Sequence, residues 1–323
     1  MLKGPLAEES KKSKVNIAIV GYGKVAKDFH IPAIEKSDFF RLVAIVTKNS
    51  YYGDLPNFSS LEDLNSSNLE VNAIAICTPP EKRFVIAQNA IENGLHVLLE
   101  KPPFSNVEYC RKFAILAKNS KSTVFTAWHS KYANFVSKVR DLAKQNSIKR
   151  FEITWCEDVN KWHPGQDWVT KEGGLGVFDA GINALSILGQ ILGDSWSPSN
   201  VVFKKPKNWE TPISANFNLV SHNNEIKGKV NLDWNGGDPE IWQIDLYGDN
   251  IKLSLIAGGG KLQINDIESE KTPNHMNEYE LVYNNFYELI KDEKSDIDIS
   301  PLQTVEDVFA DAKWVEIAAF NIH

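Results

Sequence analysis

The first third of the chain alternates apolar runs of strand length with segments of helical period. Val15 to Val20 is the first run, and it leads through Gly21-Tyr22-Gly23-Lys24-Val25-Ala26 into a predicted helix. Leu42 to Val46 is a second run, with the β-branched residues that suit a pleated surface. Val71 to Cys77 is a third, stopped by Thr78-Pro79-Pro80. Phe84, Ala87 and Ile91 then recur at helical spacing up to Gly94, a residue fitted to the left-handed turn that ends helices. Leu95 to Leu99 forms the next strand, followed by Glu100-Lys101-Pro102-Pro103. Ser105 and Glu108 read as a capping box ahead of Val107, Cys110, Ala114 and Ala117. Strands separated by helices at this interval predict a parallel, doubly wound sheet.

The pattern changes near residue 127. Longer strand-like runs follow, Val230 to Trp234, Trp242 to Tyr247 and Ile251 to Ile256, joined by Asp, Gly and Asn turns. All nine tryptophans, Trp128 to Trp314, lie in this part, and core or subunit-interface packing accounts for most of them. This half reads as α+β with a large, mostly antiparallel sheet. Leu302 to Phe320 reads as a closing amphipathic helix.

Composition narrows the function classes. With 323 residues the chain has room for two domains, and 42% hydrophobic with 24% charged residues suits a globular enzyme. A net charge of −7 argues against a nucleic-acid binder. No stretch approaches the roughly 18 consecutive apolar residues of a membrane span. The polar start MLKGPLAEESKKSK lacks the apolar centre of a secretory signal. Cys77, Cys110 and Cys156 lie far apart and read as thiols in a reducing compartment, so a cytoplasmic location is expected. The histidines are scattered, and no metal is expected.

Gly21, Gly23 and Ala26 fit the dinucleotide fingerprint G-x-G-x-x-A. The first glycine permits the turn, the second lets a pyrophosphate approach, and the small third residue lets helix and strand pack closely. The motif is weak alone, but its place between a strand and a helix supports it. An acidic residue about 20 positions on would hold the ribose hydroxyls of NAD. Thr47-Lys48-Asn49 stands there instead and suits a 2′-phosphate, so NADP is expected, with NAD tolerated. The plainer reading makes Lys48 a solvated surface residue.

The fingerprint, Glu100-Lys101-Pro102, and Gly173-Gly174 followed by Asp179 and Asn183 together resemble the Gfo/Idh/MocA oxidoreductase family. Within it, GYGKVAKDFHIPAI, HVLLEKPP, CEDVNKWHPGQDW and GGLGVFDAGINALSIL are similar to bacterial aldose 1-dehydrogenases acting on L-arabinose and D-galactose. The resemblance implies a polar tail over 1–14, a Rossmann NAD(P)-binding domain over 15–127, and a substrate-binding α/β domain over 128–323. The open sheet of the second domain would mediate a homodimer or homotetramer. The cofactor would lie against Gly21, Gly23, Lys24, Val25, Ala26, Thr47, Lys48, Thr78, Pro79, Glu100 and Lys101. The sugar would meet His129, Glu157, Trp162 and His163, with Lys101, Asp179 and Asn183 at the reacting carbon. Many family members carry a histidine where this chain has Asn183, and an amide cannot act as a base near neutral pH.

The implied reaction oxidises the anomeric carbon of an aldopyranose to its lactone, so a base must reach the C1 hydroxyl. Asp179 and Asn183, spaced i, i+4, share a helical face. Asn183 could hold the hydroxyl while Asp179 takes the proton beside the Lys101 ammonium, and Lys101 is the other candidate base. Without the resemblance, Asp179, Asn183, Ser186 and Gln190 would be a polar helix stripe. Glu100 reads as orienting Lys101, and a cis bond at Pro102 is possible. His129 reads almost equally as a satisfied junction histidine, and His96 receives no role. The rival readings are a non-catalytic dinucleotide-binding regulator, an NAD-assisted glycosidase, and a dehydrogenase of an inositol or nucleotide sugar.

Overall fold

The computed structural model describes residues 14–322 except 50, 52, 194, 224, 236–238 and 270–275. The expected N-terminal tail therefore lies, apart from Lys14, outside the described residues.

Six strands form the first sheet: β1 (Val15–Val20), β2 (Phe40–Val46), β3 (Asn57–Phe58), β4 (Ala73–Ile76), β5 (His96–Glu100) and β6 (Val124–Ala127). Their order is β3-β2-β1-β4-β5-β6, and every pairing is parallel. Ile17, Ala18 and Ile19 are wholly buried, which is why a strand covered on both faces reads as an unbroken apolar run. Helices α1 (Ile31–Lys36), α2 (Leu61–Asn65), α3 (Pro80–Glu92) and α4 (Val107–Lys118) make the connections. The strand order reverses between β1 and β4, and a ligand crevice belongs at the carboxyl ends of strands at such a point.

The cap of α4 differs from expectation. Asn106, not Ser105, is the N-cap, and its side chain accepts a hydrogen bond from Tyr109 N at 2.9 Å. An asparagine amide caps as well as a hydroxyl. Glu108 turns instead to Lys112, one helical turn on. Gly94 does take the left-handed conformation, with φ of 76°.

The second sheet has nine strands: β7 (Ile148–Cys156), β8 (Trp196–Pro206), β9 (Ser214–Ser221), β10 (Lys227–Asp233), β11 (Ile241–Gly248), β12 (Lys252–Ile256), β13 (Lys261–Ile264), β14 (Ile267–Glu268) and β15 (Lys313–Ile317). They run in the order β14-β13-β12-β11-β7-β10-β9-β8-β15. Neighbours are antiparallel except β7 with β10 and β8 with β15. The inner face presents Phe151, Ile153, Phe217, Leu219, Val230 and Leu232, all buried. Over this face lie α5 (Val136–Gln145), α7 (Phe178–Leu192) and α9 (Ser300–Ala310), while the short α6 (Val159–Trp162) follows β7.

The expected closing helix over Leu302 to Phe320 is not continuous. α9 stops at Ala310, and Lys313–Ile317 forms β15, parallel to β8. Trp314, Val315 and Ile317 favour a strand once the edge of β8 offers unpaired backbone groups. The last helix before α9 is α8 (Glu278–Lys291), and it packs on the first sheet rather than the second. Its Tyr283 and Phe286 are wholly buried beside Ile17, Ile19 and Phe40, and Phe286 stacks on Phe40 at 5.6 Å.

Candidate active site

The turn after β1 fits a dinucleotide. Gly21 has φ of +99°, and a Cβ there would stand 2.9 Å from Thr78 N, so only glycine suits the position. A Cβ on Gly23 would meet nothing within 4 Å, which leaves that side open to the cleft. Helical backbone begins at Lys24, passes through a π-helical turn at Ala26–His30 and continues into α1. The helix start, with its free N–H groups, thus borders the cleft along with Lys24 and Val25. Thr78 and Pro79, which adjoin this turn, also line the cleft, and the buried Thr78 Oγ1 has no hydrogen-bond partner among the described residues. A buried hydroxyl without a partner suits a polar ligand.

Gly21 and Ala26 lie behind this surface, with Ala26 fully buried. Thr47 and Lys48 follow β2 and also stand outside the cleft wall. They adjoin the fingerprint turn, since Gly21 N donates to Val46 O at 2.9 Å. Thr47 is buried and its hydroxyl accepts from Asn49 N, while Lys48 is exposed.

The cleft has a volume of about 880 Å³ and runs from the fingerprint turn to the inner helices of the second sheet. Lys101 enters it from the end of β5, beside a cis Lys101–Pro102 bond. Its Nζ donates to the backbone oxygen of Asp179 at 2.7 Å and to Asp179 Oδ2 at 3.3 Å. His163 Nε2 stands 3.5 Å from the same Oδ2. Asp179 occupies the first turn of α7, where the helix dipole favours a negative charge. Burial pushes its carboxyl up, but Lys101 and His163 outweigh this and hold it below its ordinary value. Gly181 fixes how closely α7 lies on β10, because a Cβ there would reach within 2.4 Å of Leu232 Cδ1. Asn183, one turn beyond Asp179, borders the same cleft.

The sugar-loop candidates also converge. Glu157 accepts from Trp234 Nε1 at 3.2 Å through Oε1 and from Trp242 Nε1 at 3.0 Å through Oε2. Burial is the main cause that pushes its carboxyl up to about 7, with the Asp179 charge adding to it. Trp162 packs on Trp242 at 5.5 Å and donates from Nε1 to Glu240 Oε1 at 2.6 Å, which leaves its ring beside the cleft. His129 has Nδ1 2.6 Å from Glu278 Oε2 and stacks on Tyr279. It is both a satisfied junction histidine and part of the cleft wall.

Glu100 borders the cleft, with its side chain engaged within the protein. Its carboxyl is buried, with Oε1 accepting from Tyr279 OH at 2.8 Å and lying 3.0 Å from His30 Nε2. Oε2 accepts from the Lys101 backbone N at 2.9 Å, so the side chain orients the Lys101 turn. Burial raises the Glu100 pKa, yet its hydrogen bond to His30 prevails and brings it to about 2. The sequence reading missed His30, Tyr279, Trp242, Glu240 and Arg83. For Arg83 a signal existed: it stands four residues before Ala87, on the apolar face of α3. Among the described residues, no group of three His, Cys, Asp or Glu side chains gathers as a metal site.

Residues 15–128 match the family described as oxidoreductase family, NAD-binding Rossmann fold. Galactose 1-dehydrogenase of Pseudomonas fluorescens is 36% identical over 306 residues, covering 95% of this chain and 98% of that protein. The crystal structure of a D-galactose-1-dehydrogenase from Rhizobium etli superposes with a TM-score of 0.89 at 34% identity, covering 96% and 98% of the two chains. A 3-ketoreductase from Actinomadura kijaniata, solved with NADP and TDP-benzene, shares the fold at a TM-score of 0.82 and 15% identity, over 94% of this chain and 100% of that one.

Proposed function

This chain belongs to the Gfo/Idh/MocA family of NAD(P)-dependent oxidoreductases acting on CH–OH groups, and on that premise we propose that it is an aldose 1-dehydrogenase. D-Galactose is the first candidate substrate and L-arabinose the second. The observation that carries the reading is the cluster of Lys101, Asp179 and His163 in one cleft with the open side of the fingerprint turn. The nearly full-length likeness to two galactose dehydrogenases supports the choice of sugar.

A nicotinamide held against Gly23, Lys24 and Thr78 would supply the hydride acceptor for C1. Asp179, held ionised by its neighbours, receives the proton of the C1 hydroxyl, so that C1 becomes a lactone carbonyl. Lys101 stands beside that oxygen and stabilises the charge that develops as the proton leaves. Asn183 holds the hydroxyl by a hydrogen bond, a role its amide can fill. Trp162 offers a flat face to the C–H edges of the ring, while Glu157, His163 and His129 meet its hydroxyls. Thr47 and Lys48 contact the 2′-phosphate of NADP, with NAD accepted less well. The protein works as a homodimer or homotetramer, and the free thiols Cys77, Cys110 and Cys156 suit the cytoplasm.

The test is absorbance at 340 nm with NADP or NAD and a panel of aldoses at mildly alkaline pH. A rise with D-galactose or L-arabinose is expected. Lys101→Met and Asp179→Asn should each lower kcat by about 100-fold or more, in the range for losing a positioned acid–base group. Both variants should still quench protein fluorescence on binding NADPH. A flat trace across the panel with cofactor bound would favour the regulator or the glycosidase.

A further inference from the structure

Arg83 sits on the first turns of α3 with its side chain almost wholly buried at the floor of the cleft. Among the described residues, its guanidinium meets no carboxylate directly. Nε donates to Thr78 O at 2.6 Å, and Nη1 donates to both Glu100 O and Pro102 O. Those last two carbonyls flank Lys101 in the chain, and Thr78, just past β4, packs against Gly21 of the fingerprint turn. One side chain therefore joins the ends of β4 and β5 at the residue that reaches Asp179.

We infer that Arg83 is a positioning residue for this site: its guanidinium fixes the backbone on both sides of Lys101 against the Thr78 turn and so holds the ammonium at Asp179. The inference rests on the dehydrogenase reading of the cleft. Arginine suits the task because its rigid planar fork can serve several acceptors at once, whereas lysine is a point charge on a flexible stem. The partners are main-chain oxygens, so what is fixed is the course of the backbone. The buried cation also acts on Asp179, whose carboxyl it helps to hold ionised. A purely structural arginine would satisfy the same carbonyls but leave the proton chemistry unaffected.

The experiment compares wild type with Arg83→Met and Arg83→Lys. In Arg83→Met, kcat with D-galactose should fall about 100-fold, as expected when a reacting group is displaced by an ångström or so. Arg83→Lys should recover part of the loss. The acid limb of the kcat/KM profile should move to higher pH in Arg83→Met, since a cation favouring the Asp179 carboxylate is gone. A second readout needs no turnover: acetylation of Lys101 by acetic anhydride, followed by mass spectrometry, should be at least about threefold faster once the ammonium is released from Asp179. Should wild type oxidise no aldose, the dehydrogenase reading falls, and the labelling rate alone decides the role of Arg83. Unchanged kcat, acid limb and labelling in a folded variant, whatever its Tm, would overturn the proposal. If Arg83→Met does not fold, Arg83→Lys carries the same measurements.

Discussion

At the scale of single residues, Glu157 has the most testable electrostatics. Two indole N–H groups and deep burial enclose a carboxyl whose pKa lies near 7 because burial penalises its charge. Above that pH the ionised group can accept from a sugar hydroxyl as well as from both indoles; below it, one lone pair is lost to a proton. The sugar KM should therefore fall as pH rises through about 7, and Glu157→Gln should abolish that step. The amide offers the sugar only one acceptor oxygen, so the KM should also rise about fivefold, the equivalent of one lost hydrogen bond of roughly 1 kcal/mol. The stability linkage has the opposite sign. With its folded pKa above the unfolded value, Glu157 favours folding fully below about pH 4. That contribution is lost as pH rises through 7, so wild-type Tm should decline over this range more than that of Glu157→Gln. A KM profile that is flat in wild type, or equally sloped in the variant, removes Glu157 from sugar binding. Lys101 and Asp179 were legible in the sequence because a motif marks each of them. Glu240 was not, because its partner is an indole contributed by a segment distant in sequence, and Arg83 left only the trace of a cation on the apolar face of α3, since its partners are main-chain carbonyls.

At the scale of elements, the first sheet was readable because strands buried on both faces leave unbroken apolar runs, and glycines and prolines mark where those runs stop. The course of α8 was not readable: its apolar period shows that it has a buried face but not that the face is turned to β1 and β2. β15 was misread for a related reason, since a short edge strand exists only by virtue of the β8 edge it pairs with. The end of β2 carries the cofactor question. Thr47 and Lys48 emerge beside Gly21, where the strand order brings the second strand alongside the first. A carboxylate at this point would accept from ribose hydroxyls and repel a 2′-phosphate. Replacing Thr47 with Asp and Lys48 with Ala should thus shift kcat/KM from NADP toward NAD by about 100-fold, or roughly 2.7 kcal/mol. An unaltered ratio of the two cofactors would show that the 2′-phosphate is read elsewhere.

At the scale of the whole molecule, the nine-stranded sheet has two unlike faces. α5, α7 and α9 cover the inner one, together with the cleft residues they carry. On the outer face Thr154, Asn231 and Asn216 align in register across β7, β10 and β9. They line, with Glu152, Asn218 and Lys229, a groove of about 340 Å³. Exposed Val202 and Ile241 lie on strands of the same sheet. A sheet face with this ladder of amides suits a second copy of itself, because a two-fold axis through the sheet would set amides against amides, each able to donate and accept. Sedimentation equilibrium at micromolar concentration should give twice the chain mass or a multiple of it. Asn231→Arg would bring two like charges together near such an axis, and burying them unpaired is costly. The variant should sediment as the monomer and retain its cofactor binding, since the cleft opens on the other side of the sheet. A wild-type monomer, or a variant that assembles as before, would place the subunit contact on another surface.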